Sequence, residues 1–240
     1  YGSPNEYYVI GRSPAAAKNY FILYRLKDVL TTPTITAVHI PVSSWTDAID
    51  AIQYEGGPLL ESDWGYMTNE PVYKDSSLWL IHASANPIAT QYSNIRYLRF
   101  NPATNTATED ISFGAVGYSY YYPSIMVDSL NNVGIICSRS GATEYAGMYL
   151  TGRRIGDPLG LSPSIVLKAG EENHLRIHNL GSARNRWGDY SSIVADPVDG
   201  TLLWACNGYA TSSKTIWNTW IGKMSMKPTS TANIGVDRGM

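Results

Sequence analysis

"RWGDYSSIVADPVDGTLLW", residues 186–204, is the stretch whose reading decides the fold. Two apolar runs flank Asp-Pro-Val-Asp-Gly, in which Pro197 presets one backbone angle and Gly200 accepts a positive φ. That order is strand, tight turn, strand. The leading Arg186-Trp187-Gly188-Asp189 is then either a reactive corner or the architectural entry to a β unit.

The unit recurs. "NEPVYKDSSLWLIHASAN" (69–86) and "YYPSIMVDSLNNVGIICSRSG" (121–141) line up with "DYSSIVADPVDGTLLWACNGY" (189–209). Each offers a first strand, an anchoring aspartate (Asp75, Asp128, Asp196), a turn and a second strand. A weaker first copy is "NEYYVIG" followed by "NYFILYRL". Each copy runs on into another hairpin, so the period is roughly 60 residues with about four strands. The expected fold is all-β: a β-propeller of four-stranded blades, about four in this chain, near 1–57, 58–117, 118–182 and 183–240. The ring either closes on itself or is part of a larger one, since propellers hide their sheet edges by closure. A fragment with open edges is expected to associate. One short helix is expected over "SSWTDAIDAIQYE" (43–55), from the spacing of Trp45, Ala48, Ile49 and Ile52 behind Ser44.

Composition narrows the classes. Of 240 residues 16% are charged and the formal net charge is −2, with no block of like charge, so a nucleic-acid footprint is missing. No apolar run approaches the roughly 20 residues of a membrane span. Eighteen Tyr and seven Trp stand against three Phe, a bias that suits half-exposed sheet faces and sugar-binding surfaces. With few Lys and abundant Ser, Thr, Asn and Gly, this points to a secreted or cell-surface protein. The chain starts at Tyr1, which reads as a processed product or a fragment.

"RWGDYSSIVADPVDGTLLW" together with "YYPSIMVDSLNNVGIICSRSG" resembles the RWGDY-bearing repeats of secreted bacterial and archaeal β-propeller proteins, themselves loosely similar to sialidase-like propellers. The resemblance covers roughly residues 118–224. It implies a propeller fold and export, as a module of a large surface or exported protein, and carries over no particular activity.

Two functions stay in view. The first is a non-catalytic module that binds a glycan or protein partner, or is a structural piece of a surface assembly. Its candidate site residues are Arg186, Trp187, Asp189 and Tyr190, with Arg139 and Trp64. Arg186 and Asp189 would share a pocket with Trp187 as a stacking platform. On the architectural alternative Trp187 packs between sheets, Gly188 permits the strand entry and Asp189 either accepts backbone N–H bonds in the turn or pairs with Arg186. "DWGYMTNEPVY" (63–73) repeats the Trp-Gly pair as Trp64-Gly65, as a blade feature would. The second function is sialidase-like glycoside hydrolysis, which needs converging arginines beside a Tyr–Glu pair. Arg139, Arg153 and Arg186 are available, but the Asp-box pattern is degenerate.

Calcium is a possible cofactor at Asp196 and Asp199, although "DPVDG" also reads as a turn. His174 and His178 would lie about 13 Å apart on a strand, too far to share an ion, and are expected to be solvent-facing or hydrogen-bonded. Cys137 and Cys206, at comparable places in second strands, are expected as two buried free thiols. In "YSYYYPS" (118–124) alternation puts Tyr120 and Tyr122 on one face and Tyr121 on the other. Packing between blades competes there with a stacking role.

Overall fold

The computed structural model describes residues 6–14, 18–62, 66–67, 69–178, 184–227 and 236–237. It is all-β, built from successive antiparallel meanders. Sheet I holds β1 (Glu6–Arg12), β2 (Tyr20–Lys27) and β3 (Thr34–Pro41). Sheet II holds β4 (Val72–Lys74), β5 (Ser77–Ala85), β6 (Ser93–Asn101) and β7 (Thr106–Phe113). Sheet III holds β8 (Tyr118–Val127), β9 (Val133–Gly141), β10 (Glu144–Arg153) and β11 (Ile165–Lys168). A two-residue pair, β12 (Ile177–His178) with β13 (Arg184–Asn185), precedes sheet IV. That sheet holds β14 (Ser192–Ala195), β15 (Leu202–Ala210), β16 (Trp217–Ser225) and β17 (Val236–Asp237).

Sheets pack face to face in chain order. Ile10, Phe21, Leu23 and Ile40 of sheet I meet Leu78, Leu80, Leu98 and Phe100 of sheet II. The other face of sheet II, with Trp79, Ile81, Ile95 and Tyr97, meets Ile125, Val127, Val133, Ile135 and Cys137 of sheet III. Ile136, Met148, Leu150 and Leu167 on the far side of sheet III meet Ile193, Leu203, Ala205 and Met224 of sheet IV. Full burial of each such side chain contributes about 1.5–3 kcal/mol, so these three interfaces dominate the stability. The sequence pattern follows from the stacking. β5, "SLWLIHASA", is buried at all nine positions because both of its faces are covered. β15, "LLWACNGYA", alternates because one face is open.

The repeated turns adjoin one another. Ser129 N–H donates to the Gly200 carbonyl at 2.7 Å, and Asn131 Nδ2 donates to Asp75 Oδ2 at 3.2 Å. Asp128 accepts from the Leu130 and Asn132 N–H groups, and Asp196 from those of Val198 and Asp199, the local turn chemistry of aspartate. Asp75 does not match them. It sits inside a two-residue turn with Ser76, both at positive φ (47° and 52°), between the paired Lys74 and Ser77. The shorter turn displaces the aspartate by one residue relative to the core-facing positions. Gly200 also differs from expectation, since its φ is not positive.

The expected helix over 43–55 does not form. The segment is extended and irregular, with one isolated bridge, Ala51 to Leu60, and a single 3-10 turn at Tyr54–Gly56. Its backbone donors find partners on the sheets instead: Ser43 N–H on Asp110, Ile49 N–H on Ser93 Oγ, Ile52 N–H on Ser119 Oγ. Of the four residues of that spacing Trp45 and Ala48 are buried, Ile52 is half-buried and Ile49 is exposed. What the buried pair covers is a row of neighbouring sheets, and tertiary partners override the modest helical preference.

The tyrosine run departs as well. A register shift between Tyr121 and Ser124 and a φ of 48° at Tyr122 break the alternation. Tyr121 and Tyr122 therefore pack edge to face, with centroids 6.0 Å apart, while Tyr120 turns to the core between sheets II and III. All three are buried.

Candidate functional site

A cleft of about 510 Å³ opens beside the opening motif. Arg186, Trp187, Gly188, Asp189 and Tyr190 form one wall. Ser192, Cys206, Gly208 and Thr219 supply the floor from sheet IV, and Arg176 and Trp217 close the sides.

The wall is held by the strap that replaces the expected helix. Buried Asn185 donates through Nδ2 to the His174 carbonyl at 2.8 Å and accepts the Arg176 N–H at 2.7 Å. Gln53 ties the strap to the same point, accepting the His174 N–H at 2.7 Å. Glu61, almost wholly buried, receives both Arg184 and Arg186, the latter at 2.6 Å. The second terminal nitrogen of Arg186 reaches both Asp189 oxygens, at 2.9 and 3.1 Å. Both terminal nitrogens of Arg186 are thus engaged by carboxylates. Its fork is not left open for the carboxylate of a ligand, and its charge is balanced before any ligand arrives.

Trp187 is no platform. It is buried, its Nε1–H donates to Ser138 Oγ on sheet III at 3.2 Å, and Tyr121 and His174 meet it edge-on. Gly188 has no positive φ, and a Cβ on it would touch nothing, so the turn does not require glycine there. The exposed rings are Tyr190 and Trp217, the latter lying across Gly208 with its ring 3.6 Å from where a Cβ would stand. Sequence reasoning passed over Trp217 because it stands outside the repeated stretch. Trp64 lies outside the described residues.

Arg139 is elsewhere. It forms a two-point ion pair with Glu144 (2.5 and 2.6 Å), donates to Ser164, and lies 3.8 Å from the Tyr149 ring centroid. Arg153 pairs with Glu109 at 2.8 Å, which also accepts the Tyr97 hydroxyl. Each of the three arginines has its own carboxylate, and only Arg186 borders the cleft. Burial, reinforced by the neighbouring carboxylate, pushes the pKa of Tyr97 and Tyr149 up, which favours a hydroxyl over a phenolate nucleophile.

Asp196 and Asp199 are used by the turn. Asp196 Oδ2 accepts from Trp204 Nε1 at 2.7 Å, and Asp199 accepts the Thr201 N–H and hydroxyl. Among the described residues no cluster of three or more His, Cys, Asp or Glu suits a metal ion. Nor is any helix there long and apolar enough to cross a membrane. His174 sits in irregular chain rather than a strand and its ring is fully buried, so of the two expected states the solvent-facing one does not hold. Both cysteines are free, Cys137 buried but Cys206 only half-buried, on the floor of the cleft. The expectation of two buried thiols holds for the first alone.

Register shows what the cleft is in the architecture. Val127 pairs with Val133, and Ala195 with Leu203, so Ser138 of sheet III and Gly208 of sheet IV are equivalent, as are Ile136 and Cys206. Ile136 is core, and Ser138 receives Trp187 from the segment that leads into sheet IV. The cleft is therefore the position at which, one sheet earlier, the segment leading into the next sheet seats Trp187. Comparison with known proteins finds no family model and no curated protein that matches the chain.

Proposed function

We propose that the chain is a run of β-propeller blades acting as a non-catalytic binding module of an extracellular assembly, and that it takes a protein partner on the open face of sheet IV, with the cleft as anchor pocket. One observation carries this reading: the face that is core in sheets II and III is apolar yet exposed in sheet IV. Val194, Trp204 and Ile221 stand there around half-buried Cys206. Exposed apolar surface of this extent, with Lys223 standing over Trp204 and with Arg176 and Asp189 at the rim, marks an association surface. The propeller reading is supported by four consecutive meanders, stacked in chain order, with adjoining turns. Export is supported by the composition and by the resemblance of the repeats.

A second reading, a glycan in the same cleft, is favoured by the rings of Tyr190 and Trp217 beside polar groups. Arrays of extracellular proteins and of glycans, probed with the wild type, Trp217→Ala and Ile221→Lys, separate the two. Selective protein binding lost in both variants supports the first reading. Selective glycan binding lost in Trp217→Ala and kept in Ile221→Lys supports the second. Silence on both arrays overturns the glycan reading and a foreign protein partner; silence together with a monomer in solution overturns the association surface itself.

A further inference from the structure

Sheet I presents a second open face, and its pattern is not that of a solvated one. Antiparallel pairing sets Tyr7, Leu26 and Ile35 in one row, Val9, Tyr24 and Ala37 in the next, and Ile22 beside His39. These side chains point away from the Ile10, Phe21, Leu23 and Ile40 core. Ile35 is 67% exposed, and Tyr7 and Val9 about half. Polar residues would stand at such positions on a sheet meant to face water, where apolar and polar positions alternate cleanly. Here both faces are apolar, as in sheet II.

The two open faces differ in kind. At every interface within the chain, the far face of one sheet meets the near face of the next. Sheet IV is left with an unmatched far face and sheet I with an unmatched near face. Cys206 stands at the position of Ile136, and by the same count at that of Ile81, both sealed in sheet-to-sheet cores. The vacant halves are thus the two sides of one further contact of the type the chain already makes three times. Each half offers the other what the existing interfaces use: Tyr and β-branched rows on sheet I, Trp204, Val194 and Ile221 on sheet IV.

We infer that two copies of this chain associate head to tail, sheet I of each against sheet IV of the other, to close a ring of eight sheets. This rests on the propeller reading above and names a second copy as occupant of the sheet IV face. The arrangement has two identical contacts related by a two-fold axis, so it closes and leaves no apolar face exposed. Eight sheets fall within the blade numbers that propellers adopt.

The test is mass in solution, by light scattering behind size exclusion, for the wild type, Ile35→Lys and Ile221→Lys. Both substituted side chains are exposed, so near-UV circular dichroism should report an unchanged fold. The wild type should run as a dimer and each variant alone as a monomer. An equimolar mixture of the two variants should recover a dimer, because one of its two contacts pairs two unaltered faces. A monomeric wild type overturns the inference. So does a dimer broken by only one variant, which marks a like-to-like contact, and so does an open-ended polymer. A monomer that still binds a protein on the array through Ile221 refutes the ring alone. A dimer that binds nothing on either array leaves the ring and refutes the ligand readings.

Discussion

At the residue scale the motif divides into structural parts. Trp187 belongs to the core and Gly188 does not need to be glycine. Trp187→Ala should therefore cost about 3–5 kcal/mol through a cavity between sheets III and IV, whereas Gly188→Ala should stay within about 0.5 kcal/mol. Urea unfolding of the two variants checks the contrast. His82 supplies a pH dependence. Its ring is fully buried against Phe21 and Trp45, with Nδ1 2.8 Å from the Ala83 carbonyl, and burial lowers its pKa to about 4. The unfolded chain binds this proton near pH 6.5 and the folded chain only near 4. Its contribution is complete above pH 6.5 and is lost as the pH falls from there towards 4, to a total of about 3 kcal/mol. Unfolding measured at pH 7 and pH 5 should show the loss, and His82→Phe should flatten it.

At the scale of elements, turn chemistry is adjustable where backbone strain is visible. The two-residue turn between β4 and β5 has both residues at positive φ, yet carries Asp75 and Ser76. Such a turn favours glycine at its second position. Ser76→Gly should raise stability by about 1 kcal/mol, seen as a higher Tm, and leave the Asn131 to Asp75 hydrogen bond in place. The strap over 43–61 shows the reverse case, in which element type was not legible. Its apolar spacing is helical, but Trp45 packs on sheets I and II, Ala51 packs on sheets III and IV, and its N–H groups are claimed by side chains of sheets II and III. A helix would satisfy those donors internally and lose these contacts.

At the scale of the molecule, the two free thiols report on the open face. Cys137 is buried and its pKa is pushed up to about 12 by that burial, so it should resist a thiol reagent in the folded protein. Cys206, half-buried on the face of sheet IV, should react in the monomeric Ile35→Lys variant. It should be protected in the dimeric wild type, and mass spectrometry of the labelled chain checks both. Equal labelling in the two would show that the face stays open.

The sequence by itself determined the all-β class and the strand–turn–strand hairpins within 72–85, 118–141 and 192–210. Both depend on alternation and turn residues close together in the chain. Only the tertiary structure decided the rest. The seat of Trp187 on Ser138, the capture of Arg186 by Glu61 and the membership of Trp217 in the cleft all join segments far apart in the chain. Alternation along a strand says which residues share a face. Whether that face is core or surface depends on the sheet that stands against it, and for sheets I and IV nothing in their own pattern names that neighbour.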